Sequence, residues 1–251
     1  MPFADRSSPA ISTILCESCG YTLDGLPIAG NCPECGTPIE LSTTKSPRHR
    51  PAFEVKPSWR TFFRTTGQVI AHPTGFFKTL ALEPRSNSFG FRVRTIILLG
   101  WVTFFAATLH YNWAIAYWGF SPTSTGAVIS IVIGIVGSQL VMGVALLITR
   151  PVAWLTTLES RFWGYRLPRL RVQKALDYQS SNTLPAALLI LLVVATHWTL
   201  LRFGVVDYSF GTTYLYLLSG VVVVSVSYVF LTYTRAMRAI MYANASPQTP
   251  S

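Results

Sequence analysis

The chain reads as a mainly α integral membrane protein: a four-helix transmembrane bundle, built as two hairpins, preceded by a small N-terminal zinc ribbon. Three observations carry that reading. Of 251 residues, 50% are hydrophobic and only 12% charged, with a mean hydropathy of +0.40, a balance that suits a membrane protein better than a soluble domain of this length. Thr95 to Thr149 is a 55-residue run without one Asp, Glu, Lys or Arg. All four cysteines lie in the first 35 residues, as Cys16-Glu-Ser-Cys19-Gly20 and Cys32-Pro-Glu-Cys35-Gly36, with twelve residues between the pairs.

Met1 to Leu15 lack an apolar stretch long enough for a signal peptide, and residues 1–11 are expected to be disordered. The ribbon follows, over residues 12–40. In each Cys-x-x-Cys-Gly turn the backbone folds back toward the thiolates, and the glycine after the second cysteine permits the positive φ such a turn needs. Cys16, Cys19, Cys32 and Cys35 are therefore the expected metal ligands, with one zinc ion as cofactor and no cysteine left over. Two disulfides would require an oxidising compartment. A rubredoxin-like iron site shares the wording of the two turns but has a much longer spacer.

Residues 41–57, rich in Ser, Thr, Pro and basic residues, read as a linker. Residues 58–94 read as juxtamembrane helices, because Trp59, Phe62, Phe63, Thr66, Val69 and Ile70 recur at helical spacing before the His72-Pro73 step. Such a helix either lies on the membrane surface or packs on the bundle. The transmembrane domain spans 95–238. At roughly 20 residues per crossing, the uncharged run holds two spans, about 95–118 and 125–149, broken at Gly119 to Gly126. Two more follow at about 184–201 and 212–233, and residues 239–251 form a tail.

Ten Lys and Arg fall between Lys45 and Arg94 and six between Arg150 and Lys174, whereas the loop after span one has none and the loop after span three only Arg202. By the positive-inside rule both termini face the cytoplasm, and the protein is expected in the inner membrane. A cytoplasmic ribbon keeps its thiols reduced. The net charge of +10 is thereby explained without nucleic acid. The ribbon itself carries Glu17, Asp24, Glu34 and Glu40 and no Lys or Arg, the wrong sign for phosphates. Its expected partner is a protein, and the basic flanks are expected to meet anionic lipid headgroups.

Gly126, Ser130, Gly134 and Ser138 recur every fourth residue on span two, a face suited to close packing against another span or a second copy of the chain. His110 and His197 are the only candidates for intramembrane chemistry, and their tryptophan neighbours suit interfacial anchoring. There is no hydrolase elbow, zinc-protease motif or phosphate loop, so no enzyme is expected.

The text Cys-Glu-Ser-Cys-Gly-Tyr-Thr-Leu-Asp-Gly-Leu-Pro, closing on Cys-Pro-Glu-Cys-Gly, resembles the ribbon at the head of many bacterial multi-span membrane proteins. The Gln68 to Phe77, Leu158 to Trp163 and Met237 to Asn244 stretches are similar to the same group. Its membrane part resembles the Yip1 family, which implies a role in membrane organisation. The resulting expectation is a non-enzymatic protein whose ribbon is a docking or assembly module on a membrane anchor. A transporter or channel component, or a redox or metal sensor, is the alternative.

Overall fold

The computed structural model describes residues 14–44, 48–82, 87–117, 124–162, 167, 169–206 and 211–244. The expected disordered segment 1–11, residues 119–123 of the expected break at Gly119 to Gly126, and the end of the tail lie outside them; 124–126 already belong to a helix. Among the described residues there is no strand, only isolated bridges, and eight α-helices follow the ribbon. They are α1 (Ala52–Val55), α2 (Trp59–Ala71), α3 (Pro73–Thr79), α4 (Ser88–Tyr117), α5 (Ser124–Phe162), α6 (Arg169–Gln179), α7 (Thr183–Arg202) and α8 (Gly211–Ile240).

Among the described residues, four helices are long and apolar enough to cross a membrane, within Ser88–Tyr117, Gly126–Ser160, Arg169–Arg202 and Gly211–Ile240. This is the four-span architecture expected from the charge gaps. The helices run on past the expected span limits at the ribbon side, through Arg92 and Arg94 in α4 and through Arg150 and Pro151 in α5. Charge marks where hydrocarbon ends, but backbone hydrogen bonding continues wherever packing supports it. At about 1.5 Å per residue, the 39 residues of α5 span roughly 58 Å, about twice the ~30 Å hydrocarbon layer.

Few residues in the spans are buried, because lipid covers their outer faces. The small-residue stripe shows where helices approach most closely. A Cβ on Gly134 would lie 2.2 Å from Thr108 Oγ1 and 3.1 Å from the Phe104 carbonyl oxygen, while Ser130 and Ser138 are buried. The stripe therefore packs on α4 of the same chain. Reciprocally, a Cβ on Gly100 of α4 would strike Met142 of α5.

The main buried core lies at the ribbon-side end of the bundle, in a layer made by α1, α2, α3, α6 and the adjoining ends of α4, α5 and α8. Phe53, Phe62, Phe77, Phe91 and Tyr178 are all almost fully buried there. Phe53 stands edge-on to Phe62 and Phe91, with ring centroids 6.3 and 5.4 Å away. Ser58 caps α2 in a reciprocal box with Thr61, and Phe62, Thr65, Thr66 and Val69 turn inward. Of the two placements open to this helix, packing on the bundle is the one found, with Trp59 and Phe63 left exposed.

The stretch expected to be a linker holds two anchors into this layer. Phe53 is one. The other is Glu54, whose carboxylate meets Lys174 Nζ at 3.0 Å and accepts from the Tyr178 hydroxyl at 2.7 Å. The side chains of both ion-pair partners are almost inaccessible, at 4% and 3%. Removing one member of such a pair leaves an uncompensated buried charge, which costs about 3–5 kcal/mol, whereas replacing both with apolar groups is often neutral. Glu54→Ala is expected to lower the thermal unfolding midpoint in detergent much more than the double variant Glu54→Ala with Lys174→Met. Equal losses would show that the pair is not acting as a desolvated unit.

Candidate metal centre

The ribbon is built twice from one pattern offset by 16 residues. Cys16 N donates to Tyr21 O and Gly20 N donates to Cys16 O, both at 2.8 Å; Cys32 N donates to Thr37 O and Gly36 N donates to Cys32 O, both at 2.9 Å. Each knuckle is closed by an antiparallel bridge, Leu15 with Thr22 and Asn31 with Pro38. Gly20 and Gly36 take φ of +82° and +71°, the left-handed region that a side chain would strain. Seven residues after each first cysteine stands a buried aliphatic residue, Leu23 or Ile39, and these two pack with Cys16 and Cys32 in the ribbon's small core.

This geometry brings all four expected ligands together. Cys16 Sγ lies 3.6 Å from Cys35 Sγ, Cys19 Sγ lies 3.6 Å from Cys32 Sγ, and all four sulfurs fall within 4.8 Å of one another. A metal at about 2.3 Å from four tetrahedral thiolates would set the sulfurs about 3.8 Å apart. The four thiols are free, and their separation is far beyond the ~2.05 Å of a disulfide. The cluster is therefore a candidate site for one metal ion.

The four thiols are not equivalent. Cys16 and Cys32 are buried, whereas Cys35 is exposed. Hydrogen bonds to the side chain and backbone of Thr37, whose Oγ1 lies 3.2 Å from Cys35 Sγ, draw the Cys35 thiol down to about 6. Burial pushes Cys19 up to about 12. Cys35 is thus the ligand best prepared as a thiolate at neutral pH, and metal binding must displace a proton from Cys19.

Sequence reasoning missed how the ribbon is held. Its first knuckle is docked on the segment that follows α8. The Asn244 side chain accepts from Leu15 N at 2.9 Å and donates to Leu15 O at 2.7 Å and Ser42 O at 2.9 Å. Asn244 N donates to Glu17 Oε1 at 3.1 Å. Arg48 Nε donates to both oxygens of the same carboxylate, at 2.9 and 3.0 Å, and Arg48 also donates to Phe77 O and Leu80 O. His49 then pairs with the chain after α3, His49 N donating to Thr79 O and Ala81 N to His49 O. A Cβ at Gly20 would lie 2.5 Å from the Tyr242 ring, so this glycine serves both the turn and the contact. Among the described residues the second knuckle makes no such contact: nothing lies within 4 Å of where a Cβ on Gly36 would be, and Pro33, Glu34, Cys35 and Gly36 are exposed.

The two intramembrane histidines converge at the far end of the bundle. His110 Nδ1 lies 2.8 Å from the Tyr214 hydroxyl, and the His197 ring stacks on Tyr214 with centroids 4.0 Å apart and planes 9° from parallel. Trp113 fits edge-on against both His197 and Tyr214. They form an aromatic cluster joining α4, α7 and α8 rather than separate anchors facing the headgroups. No family model, curated protein or solved structure matches the chain.

The Asn244 contacts make a local test. Its side chain supplies three hydrogen bonds, each worth about 1 kcal/mol net. Asn244→Ala is expected to weaken docking by about 3 kcal/mol, seen as faster amide hydrogen exchange of residues 14–17 and 42–44 while the four thiols stay together. Unchanged exchange would mean that the ribbon is held elsewhere.

Proposed function

We propose that this is a non-enzymatic, zinc-bearing protein of the inner membrane, whose ribbon is a docking module carried on a four-span anchor. One observation carries the reading: two equivalent knuckles, of which the first is occupied by the chain's own Tyr242 and Asn244 and the second is exposed. A knuckle of this shape receives an aromatic ring and an amide in the docked copy, so the free copy offers the same kind of surface to another protein. Glu34 beside it and the exposed Ile28 nearby in sequence favour a partner that is basic and partly apolar. Zinc is the metal because it takes four thiolates in tetrahedral geometry without redox chemistry and holds small domains folded. The process is membrane organisation, as the resemblance to the Yip1 family implies. No catalytic role is assigned to any residue.

The orientation belongs to the same proposal. The clustering of Lys and Arg on the ribbon side puts both termini in the cytoplasm. The exposed Trp59 and Phe63 on α2, with Arg60 and Arg64 between and after them, then sit where anionic headgroups of the inner leaflet reach them. Cysteine labelling in a background lacking the native cysteines checks this: Val205→Cys should react only from the outside and Arg235→Cys only from the cytoplasm. The opposite pattern would reverse the topology.

The docking role is tested by affinity capture of the full-length protein in mild detergent, with elemental analysis on the same samples. Wild type and the pair Ile28→Lys with Glu34→Lys should both hold one zinc per chain, but the pair should lose specific protein partners. Cys16→Ser should lose both. Partners that survive the surface change would place docking elsewhere, and a metal other than zinc would overturn that part of the reading.

A further inference from the structure

The two halves of the ribbon match bond for bond, and the match extends to a pair of main-chain groups that only one half uses. In the first half Cys16 N donates to Tyr21 O and Leu23 N donates to Ile14 O, both at 2.8 Å; in the second Cys32 N donates to Thr37 O at 2.9 Å and Ile39 N donates to Gly30 O at 3.0 Å. These bonds flank the bridged residues, Leu15 with Thr22 and Asn31 with Pro38. In an antiparallel pair closed in this way the bridged residues are the non-hydrogen-bonded ones, so the N–H and C=O of Leu15 and of Asn31 point away from their bridge partners. Each residue is a short sheet edge, ready to pair.

At Leu15 that edge is filled. The Asn244 amide accepts from Leu15 N at 2.9 Å and donates to Leu15 O at 2.7 Å, the two bonds that a neighbouring strand would make. Two residues earlier, Tyr242 sets its ring against Gly20. The ligand of the first half is thus Tyr242-Ala243-Asn244, with its amide on the edge and its ring on the glycine five residues further along.

At Asn31 the edge is empty. Asn31 is exposed, and among the described residues nothing bonds to its N–H or C=O. Gly36, again five residues further along, takes φ of +71° against +82° at Gly20, and has nothing within 4 Å of where a Cβ would be. The two halves therefore present the same edge and the same turn at the same spacing. They differ as a wet surface differs from a covered one: Leu15, apolar and only 8% exposed, is replaced by the polar Asn31. Glu17, which accepts from Asn244 N, corresponds to Pro33, and Ser42 O, the other acceptor for the Asn244 amide, has no counterpart. With two bonds in place of four, the second seat suits a ligand that comes and goes.

We propose that the second half of the ribbon binds a partner protein through an exposed Tyr-x-Asn sequence, the amide bracketing the N–H and C=O of Asn31 and the ring lying on Gly36. The proposal rests on the docking reading above and names what the partner carries.

Full-length protein in mild detergent, titrated with a fluorescent peptide copying residues 238–247, which include Tyr242 and Asn244, tests the seat by anisotropy. Binding should saturate, and should weaken at least tenfold when either the tyrosine or the asparagine of the peptide is replaced by alanine. Asn31→Pro removes the outward N–H and none of the ribbon's own hydrogen bonds, so it should weaken binding at least fivefold, the loss of one hydrogen bond. Pro33→Glu supplies the carboxylate that the first half has at Glu17 and should tighten binding about fivefold, a gain that a misfolded ribbon cannot produce. Both variants should keep the metal content of wild type; if Asn31→Pro loses it, Pro33→Glu decides alone. No saturable binding, equal binding of the alanine peptides, or an affinity unchanged by Asn31→Pro or by Pro33→Glu would overturn the proposal. Failure of the docking role itself reads differently, as partner capture unaffected by the Ile28→Lys and Glu34→Lys pair.

Discussion

The buried ion pair between Glu54 and Lys174 sets the terms for the rest of the molecule. Helices in lipid gain little from burying apolar surface, because the tails around them are as apolar as the side chains. The spans accordingly contact one another along narrow faces such as the Gly134 and Gly100 approaches. What gathers the helix ends is the ribbon-side layer, where water is the competing solvent and burial is strongly favourable. Within that layer Glu54 joins the chain before α2 to α6, and Phe53 beside it locks into Phe62 and Phe91. Asp177 repeats the arrangement one turn along α6, accepting from Ser88 Oγ at 2.8 Å with Arg92 at 3.7 Å. α6 thus carries one charged contact to the N-terminal chain and another to the start of α4.

The ribbon depends on this layer in a different way. Its own core is two aliphatic side chains and two buried cysteines, too little apolar surface to fold a segment of this size without metal. The layer gives it a fixed seat, because Arg48 joins Glu17 of the first knuckle to the carbonyls of Phe77 and Leu80 in one guanidinium. Arg171 adds a further tie, donating to the Ala243 carbonyl at 2.6 Å, next to the asparagine that grips the ribbon.

The parts legible in the sequence are those written as local periodicity. Cysteine spacing marked the four thiols of the candidate metal site because a tetrathiolate knuckle is a short-range structure, and the charge gaps marked four membrane-length helices because hydrocarbon excludes charge over a known length. Asn244, Arg48 and Phe53 left no such trace. Each is one residue in an unpatterned stretch, and its importance comes from partners up to 229 residues away. The small-residue stripe on α5 was visible, but its partner was not, since α4 and a second chain offer the same packing. His110 and His197 read in the sequence as separate interfacial anchors; only the fold places Tyr214 between them.

The docking contact and the candidate metal site are built on adjacent residues, so any coupling between them is reciprocal. Glu17 is the residue next to Cys16: its carboxylate binds Arg48 and Asn244, while its backbone N–H donates to Ser42 Oγ at 3.1 Å. The knuckle conformation that turns Cys16 toward the other three thiols is therefore the one that presents Glu17 to its partners. Whatever factor metal binding contributes to docking, docking must return to metal affinity, because linkage between two equilibria is symmetric. The second knuckle has the equivalent position at Pro33, which has no N–H to donate. The repeat has thus diverged at the residue that secures the first knuckle to the membrane domain. The first half of the ribbon is held against the membrane domain, and the second half is left exposed.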